Sequence, residues 1–347
     1  MATQRYDTVV GRINKLKGEF LAHAQSVEVL GITGMQRKVP KNKGDTVVYR
    51  RTIPFGATTT NANTQNRPIA LAMEHRLEEG VTPNADTLTM VDVQATLQQY
   101  GCLYAVTDKT ADLYEDDVPA EMKKQVGERM GLVREMIRYG TLKAGTNAYY
   151  AGGTSRSTVS APATLPGLRR ITRNLNANHA KMVTGILAPS ANFATAPVEA
   201  AWLVFAHTDC EQDIRELPGF KHPAEYGTRK TVHEREIGSC ESYRFIISPE
   251  LSSYPNAGAA VGALGLGSTG GANIDVYPMI VVAEDAWGQI ALRGVDSLDP
   301  TWLPPGQKDK NDPLGQRGYI GASFWQQALI LNQGWMAVYE VGVDDLI

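Results

Sequence analysis

The chain has 347 residues, 43% hydrophobic and 20% charged, an ordinary globular composition that supports a real core without disulfide or metal staples. Its formal net charge of -3 excludes the strongly basic character of a tight, nonspecific nucleic-acid binder, although a wall that merely surrounds nucleic acid needs no such charge. Cys102, Cys210 and Cys240 form no C-x-x-C pair, and no apolar run approaches the ~20 residues of a membrane helix, so the expectation is a soluble protein made in a reducing cytoplasm, with no signal peptide at Met1–Tyr6.

Residues 1–43 are mixed and polar. GRINKLKGEFLAHAQ is the helical candidate there, with Leu16, Phe20 and Leu21 as a short apolar face, and the segment reads either as an arm or as an ordinary N-terminal helix. DTVVYRRTI, residues 45–53, alternates as a strand does, with Val47, Tyr49, Arg51 and Ile53 on one face. The polar GATTTNANTQNRP follows, then a turn at GVTPNAD and a second extended run, LTMVDVQATLQQYGCLYAVTD. Two extended runs flanking a polar excursion predict a long hairpin that is marginal alone and needs outside support.

A long helix is predicted over 117–142. Asp117 is placed to cap it, Pro119 fits its first turn and Glu121 suits its positive end. Met122, Val126, Met130, Val133 and Ile137 make its apolar stripe, and Lys123, Lys124, Glu128, Arg129 and Arg134 fall on the remaining, solvated surface. AGGTSRSTVSAPAT, residues 151–164, reads as a loop and subdomain boundary. A second helix is predicted over 165–187, capped by Thr164, with Leu168, Ile171, Leu175, Val183 and Ile186 buried. AAWLVFAHTD then reads as a buried strand and CEQDIREL as a short helix. HEREIGSCESYRFIISPEL and VYPMIVVAEDAWGQIAL are strand-rich, separated by a glycine-rich 256–273 that reads as a flexible surface loop. Residues 294–318 are proline-rich loop. YIGASFWQQALIL and a closing strand bearing Trp335, Ala337, Tyr339 and Val341 on one face end the chain. Strands and helices in this mixture place the fold in the α+β class.

No motif assembles a chemical site. Gly265, Gly267 and Gly270 match G-x-G-x-x-G, but Gly and Ala precede them and the strand-like NIDVYPMIVV follows, where a dinucleotide site needs a strand before and a helix after. No Walker-type loop and no G-x-S-x-G elbow occur. His207 and Asp209, with His222 or His233, have loose spacing for a metal site and read better as ordinary histidines. The neighbouring acids Asp116–Asp117 and Glu284–Asp285 read as caps or turns. Arg169, Arg170, Arg173 and Lys181 give the second helix a basic patch, a solvated face in the plainer reading and a contact for nucleic acid or an acidic neighbour in the sharper one. The sequence therefore assigns no catalytic, cofactor-binding or metal-ligating residue, and the chain is expected not to be an enzyme.

Three ordered blocks carry a resemblance. They are GDTVVYRR with EEGVTPNADTL and ATLQQYGCLYAVTD; TLKAGTNAYYAGG; and VYPMIVVAEDAWGQIAL with DPLGQRGYIGASFWQQALILNQGWMAVYEV. In this order, from about residue 44 onward, the chain resembles the major capsid protein family typified by the phage N4 coat protein, of the HK97-like fold. The resemblance implies an N-terminal arm (1–43), an extended loop (44–93), a peripheral domain (94–150 and 312–347) with its spine helix at 117–142, and a mainly axial domain (151–311, with 165–290 as its bulk). It implies hexamers and pentamers of one subunit, closed as an icosahedral head around double-stranded DNA, with a portal protein at one vertex and room for scaffolding and decoration proteins. It implies no cofactor and no membrane. The expected location is the virion, with assembly in the host cytoplasm. No residue pair supports a covalent Lys–Asn crosslink. A bacterial nanocompartment shell of the same fold and a metal-dependent enzyme using the histidines are the alternatives.

Overall fold

The computed structural model describes residues 28–345 except 41, 43, 56–66, 74, 83–84, 114–117, 187–196, 228–230, 263–264, 293–297 and 309–311. The helix expected near residues 11–25, the polar stretch 56–66 and the capping Asp117 lie outside these. In chain order, β1 (Met35–Val39), β2 (Thr46–Thr52), β3 (Met90–Thr96) and β4 (Gln98–Thr107) precede α1 (Asp108–Leu113) and the long α2 (Val118–Lys143). Then come β5 (Ala148–Tyr150), α3 (Leu165–Ala177), β6 (Val183–Ile186), β7 (Pro197–Ala206), α4 (Glu211–Arg215), β8 (Phe220–Lys221), β9 (Glu236–Cys240) and β10 (Tyr243–Ile247). β11 (Tyr277–Val282), β12 (Trp287–Leu292), β13 (Asp299–Leu303), β14 (Arg317–Ile330) and β15 (Met336–Val341) follow.

Among the described residues these strands form an eight-stranded sheet, a five-stranded sheet and a two-stranded ribbon. The larger sheet runs β5-β15-β11-β7-β10-β9-β8, with β6 on β7. Its central strands are the near-continuous apolar runs WLVFA, FII and MIVV. They are apolar at successive positions because both faces are covered. Trp202, Val204, Met279, Val281, Ala337 and Tyr339 pack on one side with Leu168, Ile171 and Leu175 of α3 and Ile214 of α4. Their alternate neighbours Leu203, Phe205, Ile280, Val282, Met336 and Val338 pack on the other, with Tyr139 and Leu142 of α2 and with Leu30 and Trp287. The closing strand β15 alternates as expected, but both its faces are buried.

In the smaller sheet, β14 takes β4 along one edge and β13 and β12 in succession along the other, and β1 lies parallel to β12. The forward half of α2 covers this sheet, with Val126 and Met130 fully buried on Ile320, Ala322 and Phe324. The long helix therefore spans both sheets. It serves the smaller one through its first turns and the larger one through its last.

Residues 294–318, expected as loop, contain the strand β13 (Asp299–Leu303) paired with β14, and two further expectations about helices need correction. The second helix ends at Ala177, not near 187. Asn178 turns its side-chain amide back onto Asn174 O at 2.9 Å, and His179 sits at φ +51°, so the helix is terminated there. Val183–Ile186, rich in β-branched residues, then joins β7 as a strand, and Lys181, Val183 and Ile186 are not helical. Arg134 of α2, assigned to the solvated surface, is 1% exposed. A charge-based helical wheel fails here because the face next to the apolar stripe is covered by an incoming chain segment.

Candidate assembly interface

The ribbon β2–β3 begins from alternation. Tyr49, Ala95 and the following Leu97 are buried against Val39, Ile290 and Leu329, which roots the ribbon on the smaller sheet. The opposite face is exposed and carries Arg50 directly across from Asp92, with paired N–H···O bonds of 2.8 and 3.0 Å. That pairing raises the Arg50 pKa and lowers that of Asp92 through the same side-chain hydrogen bond. Beyond the ribbon, Phe55, Ile69, Leu71, Met73, Leu77, Val81 and Leu88 are all exposed, Met73 at 83%. The polar stretch 56–66 lies outside the described residues, and the described residues that flank it present a series of exposed apolar side chains. Exposed apolar surface gathered on one segment marks a contact with another molecule.

At the base of the fold, the chain enters beneath α2. Glu28 meets Arg134 at 3.0 Å and Arg138 at 2.6 Å, and Arg138 lies 3.6 Å from Glu135. Glu135 accepts the backbone N–H groups of Val29 and Leu30 at 3.0 and 2.8 Å. Burial pushes its carboxyl above the ordinary range, against the pull of those N–H groups and Arg138. Arg138 also donates to Gln289 Oε1 at 2.9 Å, and Trp287 Nε1 donates to Thr33 Oγ1 at 3.1 Å. Two glycines permit the threading. A Cβ on Gly31 would stand 2.8 Å from the Arg138 guanidinium, and Gly34, at φ +100°, lies against the Trp287 ring. Two carboxylates and two guanidiniums thus neutralise one another in the interior and clamp residues 28–34 to the helix.

The singled-out chemical residues serve local structure. His207, His222 and His233 each accept, through Nδ1, the backbone N–H two residues ahead, at 3.1, 3.2 and 3.1 Å, so each caps its own turn. Among the described residues no three His, Cys, Asp or Glu side chains gather as a metal-holding group. The glycine-rich segment differs from the flexible loop expected. Leu266 is 3% exposed, Gly267 N donates to Val343 O at 2.8 Å, Asp345 N donates to Gly265 O at 2.9 Å, and the Asp275 carboxylate accepts from Asn256 N at 2.7 Å and Thr269 N at 2.9 Å. Leu266 and Ile274 pack with Val159 and Val276, so a small core of its own holds the segment. The 151–164 boundary is likewise pinned. Arg156 makes paired bonds of 2.8 and 2.6 Å to Glu340 and stacks 3.6 Å over the Tyr254 ring. Of the basic patch, Arg169 is held by Glu241 at 2.5 Å, and Lys181 has left the helix. Asp285 is in the left-handed turn between β11 and β12, at φ +54°.

No family model matches the chain. The major capsid protein of Pseudomonas phage KPP21 is 22% identical over 340 residues, covering 86% of this chain and 85% of that one. Among solved structures, the capsid of Ralstonia phage GP4 covers 90% of this chain and 88% of its own at TM-score 0.64 and 10% identity. The head of Helicobacter pylori bacteriophage KHP40 covers 91% and 90% at TM-score 0.58 and 11% identity. The fold is the HK97-like capsid fold.

Within this HK97-like subunit, sequence reasoning missed Glu28 and Asp213. Glu28 stands in the segment 1–43, read as mixed and polar, and looks solvated. Only the topology, which returns residues 28–34 under α2, reveals it. Asp213 sits in the short helix α4, 5% exposed, and accepts Asp344 N at 3.4 Å. Burial, then the neighbouring Asp344 charge, push its carboxyl up to about 6. Because the folded state holds this proton more tightly than the unfolded chain, its stability contribution is complete below the ordinary carboxylate pKa and is lost as pH rises through about 6. Asp213→Asn keeps the acceptor and removes the charge. The variant is expected to exceed the parent in stability by about 1–2 kcal/mol at neutral pH, after discounting the ~1.4 kcal/mol per pKa unit for partial solvation, and to match it near pH ~4. Thermal melts across that range check the crossover, and a constant offset at every pH would contradict the assignment.

Proposed function

We propose that the chain is the major capsid subunit of a tailed bacteriophage, a structural protein that self-assembles into the shell of the virion. The carrying observation is the near full-length likeness both to a named major capsid protein and to solved phage capsid chains. The exposed apolar file on the excursion supports it, since a shell subunit needs surface that only neighbours cover. The finer reading follows from the ordered sequence blocks. The chain belongs with the phage N4-type coat proteins, forms hexamers and pentamers, closes around double-stranded DNA with a portal protein at one vertex, and assembles in the host cytoplasm. In this reading residues 1–43 are the arm, 44–93 the extended loop, 94–150 and 312–347 the peripheral domain, and 151–311 mainly the axial domain. The last strand, β15, is then carried into the eight-stranded sheet, where it lies between β5 and β11.

Expressed alone or with its scaffolding partner, the protein is expected to form closed particles tens of nanometres across, built from rings of about five and six subunits. Electron microscopy and analytical ultracentrifugation test this. A chain that stays monomeric at every concentration and with every phage partner supplied would overturn the reading. Native particles filled with protein cargo and lacking genome-length DNA would reassign it to a nanocompartment shell.

A further inference from the structure

Beside the larger sheet lies a solvent-open cleft of about 480 Å³, with Arg67, Thr146, Tyr149, Arg170, Arg173 and Asn174 in its lining. Its three guanidiniums arrive from separate parts of the chain. Arg67 lies in the excursion, far before α3 in the chain, while Arg170 and Arg173 stand three residues apart on one face of that helix. Among the described residues, none of the three has a carboxylate partner, and the cleft lining contains no Asp or Glu. The contrast lies one residue away, where Arg169 on the same helix is neutralised by Glu241. Arg170 is held 5.4 Å over the Tyr149 ring, which fixes the direction of its charge. Asn174 adds a neutral donor. Its Oδ1 already accepts from Asn178 at 2.7 Å, so its N–H groups remain free to donate.

A cleft lined by three unneutralised cations and an amide donor, with no acid among them, is complementary to a compact polyvalent anion. Gathering like charges is unfavourable until such an anion enters. Planar guanidinium forks pair bidentately with the oxygens of phosphate, and a phosphate can accept from several of them at once, where a single carboxylate saturates one fork. We propose that this cleft is a phosphate-binding site, which takes either a free phosphate or pyrophosphate ion or the backbone phosphate of a nucleic-acid strand. The site goes beyond the shell function and stands whether or not the chain forms particles.

The full-length chain at low ionic strength provides the test, with pyrophosphate titrated by calorimetry and a labelled single-stranded oligonucleotide followed by anisotropy. The triple variant Arg67→Gln, Arg170→Gln, Arg173→Gln is expected to bind the responding probe at least tenfold more weakly, while Arg169→Gln, outside the cleft, leaves affinity unchanged. If the strand is the ligand, the triple variant also lowers the slope of log K against log[salt] by about 2, from three lost phosphate contacts. Pyrophosphate binding alone assigns the free ion, and strand binding with the altered slope assigns the backbone phosphate. All four substituted arginines are exposed, and circular dichroism melts confirm that the variants fold. The proposal is overturned if neither probe binds, if Arg169→Gln weakens binding as much as the triple variant, or if oligoglutamate alone binds.

Discussion

Arg138→Ala is expected to lower the unfolding free energy by about 3–5 kcal/mol, the cost of breaking a buried ion pair from one side. Arg138 is 1% exposed and touches Glu28, Glu135 and Gln289 together. Among the described residues, its removal leaves Glu135 with the backbone N–H groups of Val29 and Leu30 and leaves Glu28 with Arg134. Burial already raises the Glu135 pKa, and losing Arg138 raises it further. The deficit is therefore a high-pH effect. It is greatest where Glu135 must stay charged, and it shrinks as falling pH protonates that carboxyl in the folded state before the unfolded one. Urea unfolding at two pH values measures both the size and the sign. A loss under ~1 kcal/mol would mean that the cluster is open to solvent. Arg138→Lys should recover little of the loss, because an ammonium cannot reach Glu28 and Gln289 at once in the same fork geometry.

The second large effect concerns particles. Replacing Met73, Leu77 and Leu88 together by Ser should leave the subunit's melting curve nearly unchanged, since surface substitutions away from special features stay within ~0.5 kcal/mol. These side chains are 83%, 71% and 66% exposed and bury little within the chain. If each is buried by a neighbour at even ~1.5 kcal/mol, their loss removes roughly 4–5 kcal/mol per contact, about a thousandfold in association. The contact recurs at every subunit, so shell yield should collapse. Light scattering and electron microscopy give the readout. Parental yield from a folded variant would place the shell contacts elsewhere, and global unfolding would show that the segment belongs to the subunit core.

The long helix and most strands were legible because their signals are local. Val126 and Met130 on one stripe, Leu168, Ile171 and Leu175 on another, and the alternating Val47 and Tyr49 report period and face without reference to anything distant. The end of the second helix was not legible, since Leu175, Val183 and Ile186 continue a helical spacing by coincidence while Asn178 and His179 break it through backbone geometry. The assembly surface was half legible. The hairpin's lack of support could be inferred, but the apolar file at 69–90 is too irregularly spaced to display a face. The Glu28 network was hidden, and of the arginine cleft only the Arg170–Arg173 patch showed, for one reason. Each joins residues far apart in the chain, and charge in a linear sequence looks solvated until topology buries or gathers it.

The ribbon's mooring has a mechanical consequence. β3 passes into β4 through the single buried Leu97, and β4 is paired with β14 from Gln98–Gln326 to Thr107–Arg317. Tension applied to the ribbon therefore runs along β4, across hydrogen bonds that lie perpendicular to it. Such a load is shared by the whole ladder in shear, whereas a sideways pull would open one rung after another. A neighbour that tugs on the excursion as internal pressure rises would meet the stiff direction of the sheet.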